Sequence, residues 1–154
     1  MASSSLHLTP EGAAFIARFE GFRQQSYVCP AGHLTIGYGH RIRPGETFAS
    51  LTEAEALDLL MQDAVREAAP VARALTVPLT SYQADALISL AFNVGGGAVR
   101  KSTLLKRLNA GLLSDAAEEF MRWNQAGGKT SRGLTRRRLA EKTLFLTGDY
   151  GSES

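Results

Sequence analysis

The sequence predicts an α+β fold, and three observations carry that expectation. A hydroxyl-capped amphipathic run over residues 9–21 is followed by a Gly- and aromatic-rich stretch, 26–48, built of β-branched and turn residues. From residue 51 onward, apolar residues recur at helical spacing through most of the remaining chain. One small sheet followed by a run of helices is an α+β layout. The 154 residues show no repeat and no dividing linker, so one domain is expected over 1–154. Within it, a sheet-bearing lobe spans about 9–50, a connecting helix about 52–68 and a helical lobe about 70–148.

The elements follow in order. Thr9-Pro10-Glu11 is a helix start, with a hydroxyl cap, proline in the first turn and an acid beside the positive helix end. Phe15, Ile16 and Phe19 make one apolar face, and the helix should end near Phe19–Gly21. "SYVC", "HLTIGYG" and "ETF" then predict two or three short antiparallel strands, punctuated by Pro30-Ala31-Gly32 and Pro44-Gly45. Thr52 with Glu55 is a capping box. Leu57, Leu60, Met61, Ala64, Val65 and Ala68 recur behind it, and Pro70 lies just past the expected end. Thr80 with Gln83 repeats the device before a helix that stops at Gly95-Gly96-Gly97. Ser102 and Ser114 each open a further helix, and the last closes on Gly148.

Composition narrows the class. Apolar residues at 44% and charged residues at 21% are globular values, which excludes an intrinsically disordered chain. Residues 101–154 hold ten bases against six acids, an asymmetry that suits a polyanionic partner, either nucleic acid or a cell-wall polymer. The single cysteine, Cys29, excludes an internal disulfide and fits a reducing compartment. "MASSSLHLTPEG" has neither a basic nor an apolar signal region, and no run is long enough to span a membrane, so synthesis without an export route of its own is expected.

The chemistry concentrates in "FEGFRQQSYVCPAGHLTIGYGH", residues 19–40. Glu20 ends the first helix and can serve as a proton donor, yet no second acid follows until Glu46. The supporting group must then come from the hairpin, where Cys29 and Thr35 stand. Taken singly, each has an ordinary reading: a solvated helix-end acid, a small buried hydrophobe, a strand threonine. His33, His40 and Cys29 match no zinc spacing, and no metal or other cofactor is expected. Gly37 and Gly39 lack the third glycine of a phosphate-binding fingerprint.

Glutamate, eight residues, aspartate or cysteine, five residues, threonine is the signature of the phage-type lysozymes, glycoside hydrolase family 24, and Glu20, Cys29 and Thr35 match it without a gap. The flanking "TIGYGH", the helix "LTEAEALDLLMQD", "AFNVGGGAVRKSTLLKRLN" and "GLTRRRLAEKTLF" resemble the same family, so that the resemblance covers roughly residues 9–148. It implies a two-lobed lysozyme-like fold and a muramidase acting on the β-1,4 bond of peptidoglycan. Glu20 would be the general acid, and Thr35 would hold the attacking water beside Cys29, which takes the place usually held by aspartate. A second mechanism stays open, in which the Cys29 thiolate itself attacks, a glycosyl thioether forms and configuration is retained. His40 would be a structural imidazole, Arg137 the partner of Glu20, and Phe92 and Ser102 cleft positions. The resemblance further implies a phage endolysin that is monomeric, made in the host cytoplasm and released to the wall through a holin-type lesion, with no membrane insertion and no nucleic-acid partner. Arg136, Arg137 and Arg138 together span roughly 200° of helix azimuth, so at least one must turn inward, and Arg137 is the candidate. Trp123 suits the core and a sugar-stacking platform equally.

Three other functions compete. A lytic transglycosylase cuts the same bond with one glutamate but needs no water-directing pair, so the Cys29–Thr35 spacing speaks against it. A nucleic-acid-binding module is compatible with the basic C-terminal third, which lacks recognition-helix and RNA-binding motifs. The third is a non-catalytic wall-binding relative.

Overall fold

A computed structural model describes residues 6–151; part of the N-terminal stretch expected to lack a signal, residues 1–5, lies outside them. The chain runs α1 (Pro10–Glu20), β1 (Arg23–Val28), β2 (Leu34–Gly37), β3 (His40–Arg41), α2 (Glu53–Ala74), α3 (Ser81–Val94), α4 (Gly96–Arg100), α5 (Thr103–Asn109), α6 (Leu113–Glu119), β4 (Gln125–Ala126), β5 (Lys129–Thr130) and α7 (Arg132–Thr147). The predicted α+β order is what the chain adopts.

α1 starts where its sequence dictates. The Thr9 hydroxyl accepts from Gly12 N at 3.0 Å, and Gly21, at φ 74°, ends the helix directly after Glu20. Ala13, Phe15 and Ile16 are buried against the helical lobe, and removing Phe15 down to alanine would cost about 3–5 kcal/mol. That anchored face fixes the direction in which Glu20 leaves the helix.

β1, β2 and β3 form an antiparallel sheet in chain order, with Tyr27 opposite Thr35 and Ile36 opposite His40. Its inner face is a small core of Ile36, Leu51 and Ala56, ringed by Phe22, Tyr38 and Phe48. The expected strand at "ETF" is absent from the described sheet. Pro44-Gly45 turns the chain instead, with Glu46 N bonded to Arg43 O at 3.0 Å and Arg43 N to the Glu46 carboxylate at 2.7 Å.

α2 outruns its expected end. Pro70 lies inside the helix rather than beyond it, because Ala68, Val71 and Leu75 keep the same face buried across the lost backbone hydrogen bond. Val65, counted above with the apolar face, is 69% exposed. Five residues on from Leu60, it stands roughly 140° around the helix, whereas Ala56, Leu60, Ala64 and Ala68 stay on one stripe. The capping boxes at Thr52–Glu55 and Thr80–Gln83 are both formed.

α3 is the central helix of the larger lobe, buried at every residue from Ala84 to Ala91 and packed against α1, α2 and α7. Asp85 within it accepts from Thr9 N at 3.0 Å and from Tyr150 hydroxyl at 2.6 Å, tying both ends of the described chain to the core. Gly95 caps α3, but Gly96 opens α4 rather than extending the break. Its backbone lies so close to Glu67 O and Pro70 of α2 that a side chain there has no room. Ser102 caps α5 as expected, whereas Ser114 sits inside the first turn of α6, whose cap position is Leu112. β4 and β5, not foreseen, make a hairpin whose turn residues Gly127 and Gly128 both have positive φ, the backbone a two-residue turn requires.

Candidate active site

Glu20 is the last residue of α1, half-buried, with its carboxylate against the sheet lobe on one side and α7 on the other. Arg137 Nη1 donates to Glu20 Oε2 at 2.7 Å. Arg137 is 5% exposed, and its guanidinium lies 5.5 Å from the centre of the Phe19 ring and extends through Nε to Glu141 Oε2 at 3.4 Å. On the sheet side, Gly39 in the β2–β3 turn faces the same carboxyl. A Cβ at Gly39 would lie 2.7 Å from Glu20 Oε1, and its φ of 77° already favours glycine.

Cys29 and Thr35 are brought together by the β1–β2 hairpin. Cys29 N donates to His33 O at 2.9 Å, and the Thr35 hydroxyl donates to the same carbonyl at 2.9 Å. Thr35 is buried and Cys29 partly so. A hydrogen bond from the His33 backbone holds the Cys29 thiol below its ordinary value; the Thr35 hydroxyl, the Ala31 backbone and the Arg41 charge act in the same direction, against partial burial.

His40, 3% exposed, bridges two acids: Nδ1 meets Asp63 Oδ2 at 2.8 Å and Nε2 meets Glu46 Oε1 at 3.0 Å. Burial alone would lower its pKa, but the hydrogen bonds and charges of Asp63 and Glu46 outweigh that and raise it. The bridge pins the sheet lobe to α2.

A cleft of about 440 Å³ opens beside Gly39, lined by Arg41, Asp63, Glu67, Phe92 and Asn93 among others. Phe92 therefore lines the same cleft as Gly39 of the β2–β3 turn and Arg41 of β3, while Glu20, Cys29 and Thr35 are not among the residues lining it. Ser102 does not. Its hydroxyl caps α5 and donates to Val99 O at 2.6 Å, next to a second pocket of about 380 Å³ lined by Lys101, Glu119, Arg122 and Trp123. Trp123 is half-buried, packed on the core on one side and open to that pocket on the other.

Both Arg137 and Arg138 turn inward, and Arg136 is exposed. The residues missed from the sequence are two buried acids, Glu141, which holds Arg137 and Arg138, and Asp63, which holds His40 and Arg66, together with Ser89. Each carried a signal: Ser89 interrupts an apolar run, Asp63 lies one turn from Leu60, and Glu141 stands four residues after Arg137.

The Phage lysozyme family model matches residues 17–141. The endolysin of Bacillus phage B103 is 42% identical over 146 residues, covering 94% of this chain but 56% of that protein's length. The endolysin of Acyrthosiphon pisum secondary endosymbiont phage 1 is also 42% identical over 146 residues, covering 91% of this chain and 98% of that protein. Among solved structures, an endolysin from Escherichia coli O157:H7 phage FAHEc1 superposes with a TM-score of 0.85 at 34% identity, covering 98% of this chain and 100% of that one. The family model spans the acid, the hairpin and most of α7, and the structural match extends over both lobes. The chain belongs to the phage lysozyme family.

Proposed function

We propose that the protein is an endolysin muramidase, hydrolysing the β-1,4 bond between N-acetylmuramic acid and N-acetylglucosamine in bacterial peptidoglycan. Glu20 donates a proton to the bridging oxygen, and Cys29 with Thr35 holds the water that attacks from the opposite side, inverting the anomeric carbon. The observation that carries this reading is the seating of Glu20. It is paired with Arg137 at 2.7 Å and pressed against Gly39 of the same sheet whose hairpin brings Cys29 to Thr35. Arg137 then stabilises the carboxylate that remains after proton transfer.

One observation favours a second reading. The lowered thiol makes more Cys29 thiolate available, and a thiolate is a strong nucleophile. Attack by sulfur would form a glycosyl thioether that water later opens, with net retention. NMR of the first-formed product separates the two: the inverted anomer supports water attack, the retained anomer supports sulfur. Anhydro ends by mass spectrometry would instead identify a transglycosylase.

The protein acts on the wall as a monomer and reaches it through a lesion made by a holin. The excess of bases over acids in residues 101–154 supports docking on an anionic wall. Sedimentation, and lysis from within cells with and without a co-expressed holin, test these parts.

A further inference from the structure

Two guanidinium groups and two carboxylates meet where α7 passes the end of α1 and the middle of α3. Besides reaching Glu20, Arg137 meets Glu141 Oε2 at 3.4 Å, and Arg138 Nη1 donates to Glu141 Oε1 at 2.9 Å. The Ser89 hydroxyl donates to Glu141 Oε2 at 2.6 Å, and Arg138 also donates to Asn93 Oδ1, whose residue lines the cleft. Glu141 and Arg138 are both 0% exposed.

We propose that Glu141 is a positioning residue for Glu20: it holds Arg137 through a different guanidinium nitrogen and so aims that group at the acid. The inference rests on the assignment of Glu20 as the proton donor.

Arginine does not give up its proton, so Arg137 and Arg138 are both cations at any working pH. Arg137 reaches Glu20 through Nη1 and Glu141 through Nε, so its planar fork is held at two points and its direction is fixed. Burial pushes the Glu141 carboxyl up, but Arg138 and Arg137 pull against burial, and a wholly buried guanidinium bonded to it needs a carboxylate there. Glu141 is bonded by Arg137 and Arg138 on its own helix and by the Ser89 hydroxyl from α3, while Asn93 accepts from Arg138 and Glu20 from Arg137.

The test is kcat for peptidoglycan hydrolysis, with KM and a thermal melt beside it, for the full chain and for Glu141→Gln, Arg137→Lys and the double variant. Glu141→Gln is expected to lower kcat about tenfold with KM unchanged, and to add little further loss once residue 137 is lysine, because both changes release the same guanidinium from Glu20. A purely structural ion would lower the melting temperature without that non-additivity. Losses that multiply independently in the double variant, or a folded Glu141→Gln with wild-type kcat, would overturn the inference. Should Glu141→Gln fail to fold, the same cycle run with Glu141→Asp decides it in the same way. A wild-type chain that cleaves no peptidoglycan overturns the assignment of Glu20 instead.

Discussion

Arg137 on the last helix and Glu20 at the end of the first are joined by a 2.7 Å hydrogen-bonded ion pair, 117 residues apart in sequence. The guanidinium is nearly buried and engages Glu141 through a different nitrogen, so it is a fork held at two points. Lysine has no such fork. Arg137→Lys should therefore lower kcat/KM for wall hydrolysis by at least about tenfold, the equivalent of roughly 1.4 kcal/mol. Arg137→Ala should also lower stability by about 3–5 kcal/mol, because Glu141 loses one of its counter-charges in a buried site. Turbidity-clearing kinetics and thermal melts measure the two effects separately.

Gly39 makes a prediction that separates activity from stability. Alanine there meets two obstacles, a φ of 77° and a Cβ position 2.7 Å from Glu20 Oε1. The backbone strain is worth about 1–3 kcal/mol. Because the collision is with the acid itself, activity of Gly39→Ala should fall much further than its melting temperature suggests. Gly45→Ala, at a φ of 88° with open space around it, should show the strain without the loss of activity.

The Cys29 thiol should react as a partly ionised one. Its alkylation by iodoacetamide should reach half its maximal rate at a pH below that of free cysteine, since hydrogen bonding from the His33 backbone and the Thr35 hydroxyl favours the thiolate. Thr35→Val should move that midpoint back up. Cys29→Asp, which restores the residue usual in the family, should keep a substantial fraction of activity, and Cys29→Ala should lose most of it.

His40 gives the fold a pH dependence of fixed sign. Its pKa is raised in the folded protein because Asp63 and Glu46 favour the imidazolium over the opposing effect of burial. A group raised on folding contributes its full stabilisation below its unfolded value, about 6.5, and loses it as the pH climbs through the folded value. The stability gap between wild type and His40→Asn should thus be larger at pH 5.5–6 than at pH 9. Its size should be about 1.5–3 kcal/mol, that of hydrogen bonds to charged groups. A gap that grows with pH would mean that the ring is buried neutral.

How much of this was legible in the chain depended on the range of the interaction. Glu20, Cys29 and Thr35 could be singled out as candidates because the family signature spaces them over one helix end and one hairpin, elements that are local in the chain. The α1 and α2 caps could be read for the same reason. Pro70 was misjudged because local preference places proline beyond a helix end, whereas packing of Val71 and Leu75 carries α2 through it. The β4–β5 hairpin was invisible because its strands are short and exposed, with no apolar alternation to read. Asp63 meets His40 from another segment, and the spacing of Glu141 from Arg137 shows that they can pair but not that distant packing buries the pair. Ser102 is a cap and stands apart from the cleft that Phe92 lines.

The central claim is that the Glu20 proton breaks the glycosidic bond. Glu20→Gln preserves shape while removing the acid, so its rate of clearing purified peptidoglycan, measured beside a thermal melt, tests that claim most directly. A folded variant with no detectable clearing is the predicted result. A folded variant that clears peptidoglycan at near the wild-type rate would contradict it.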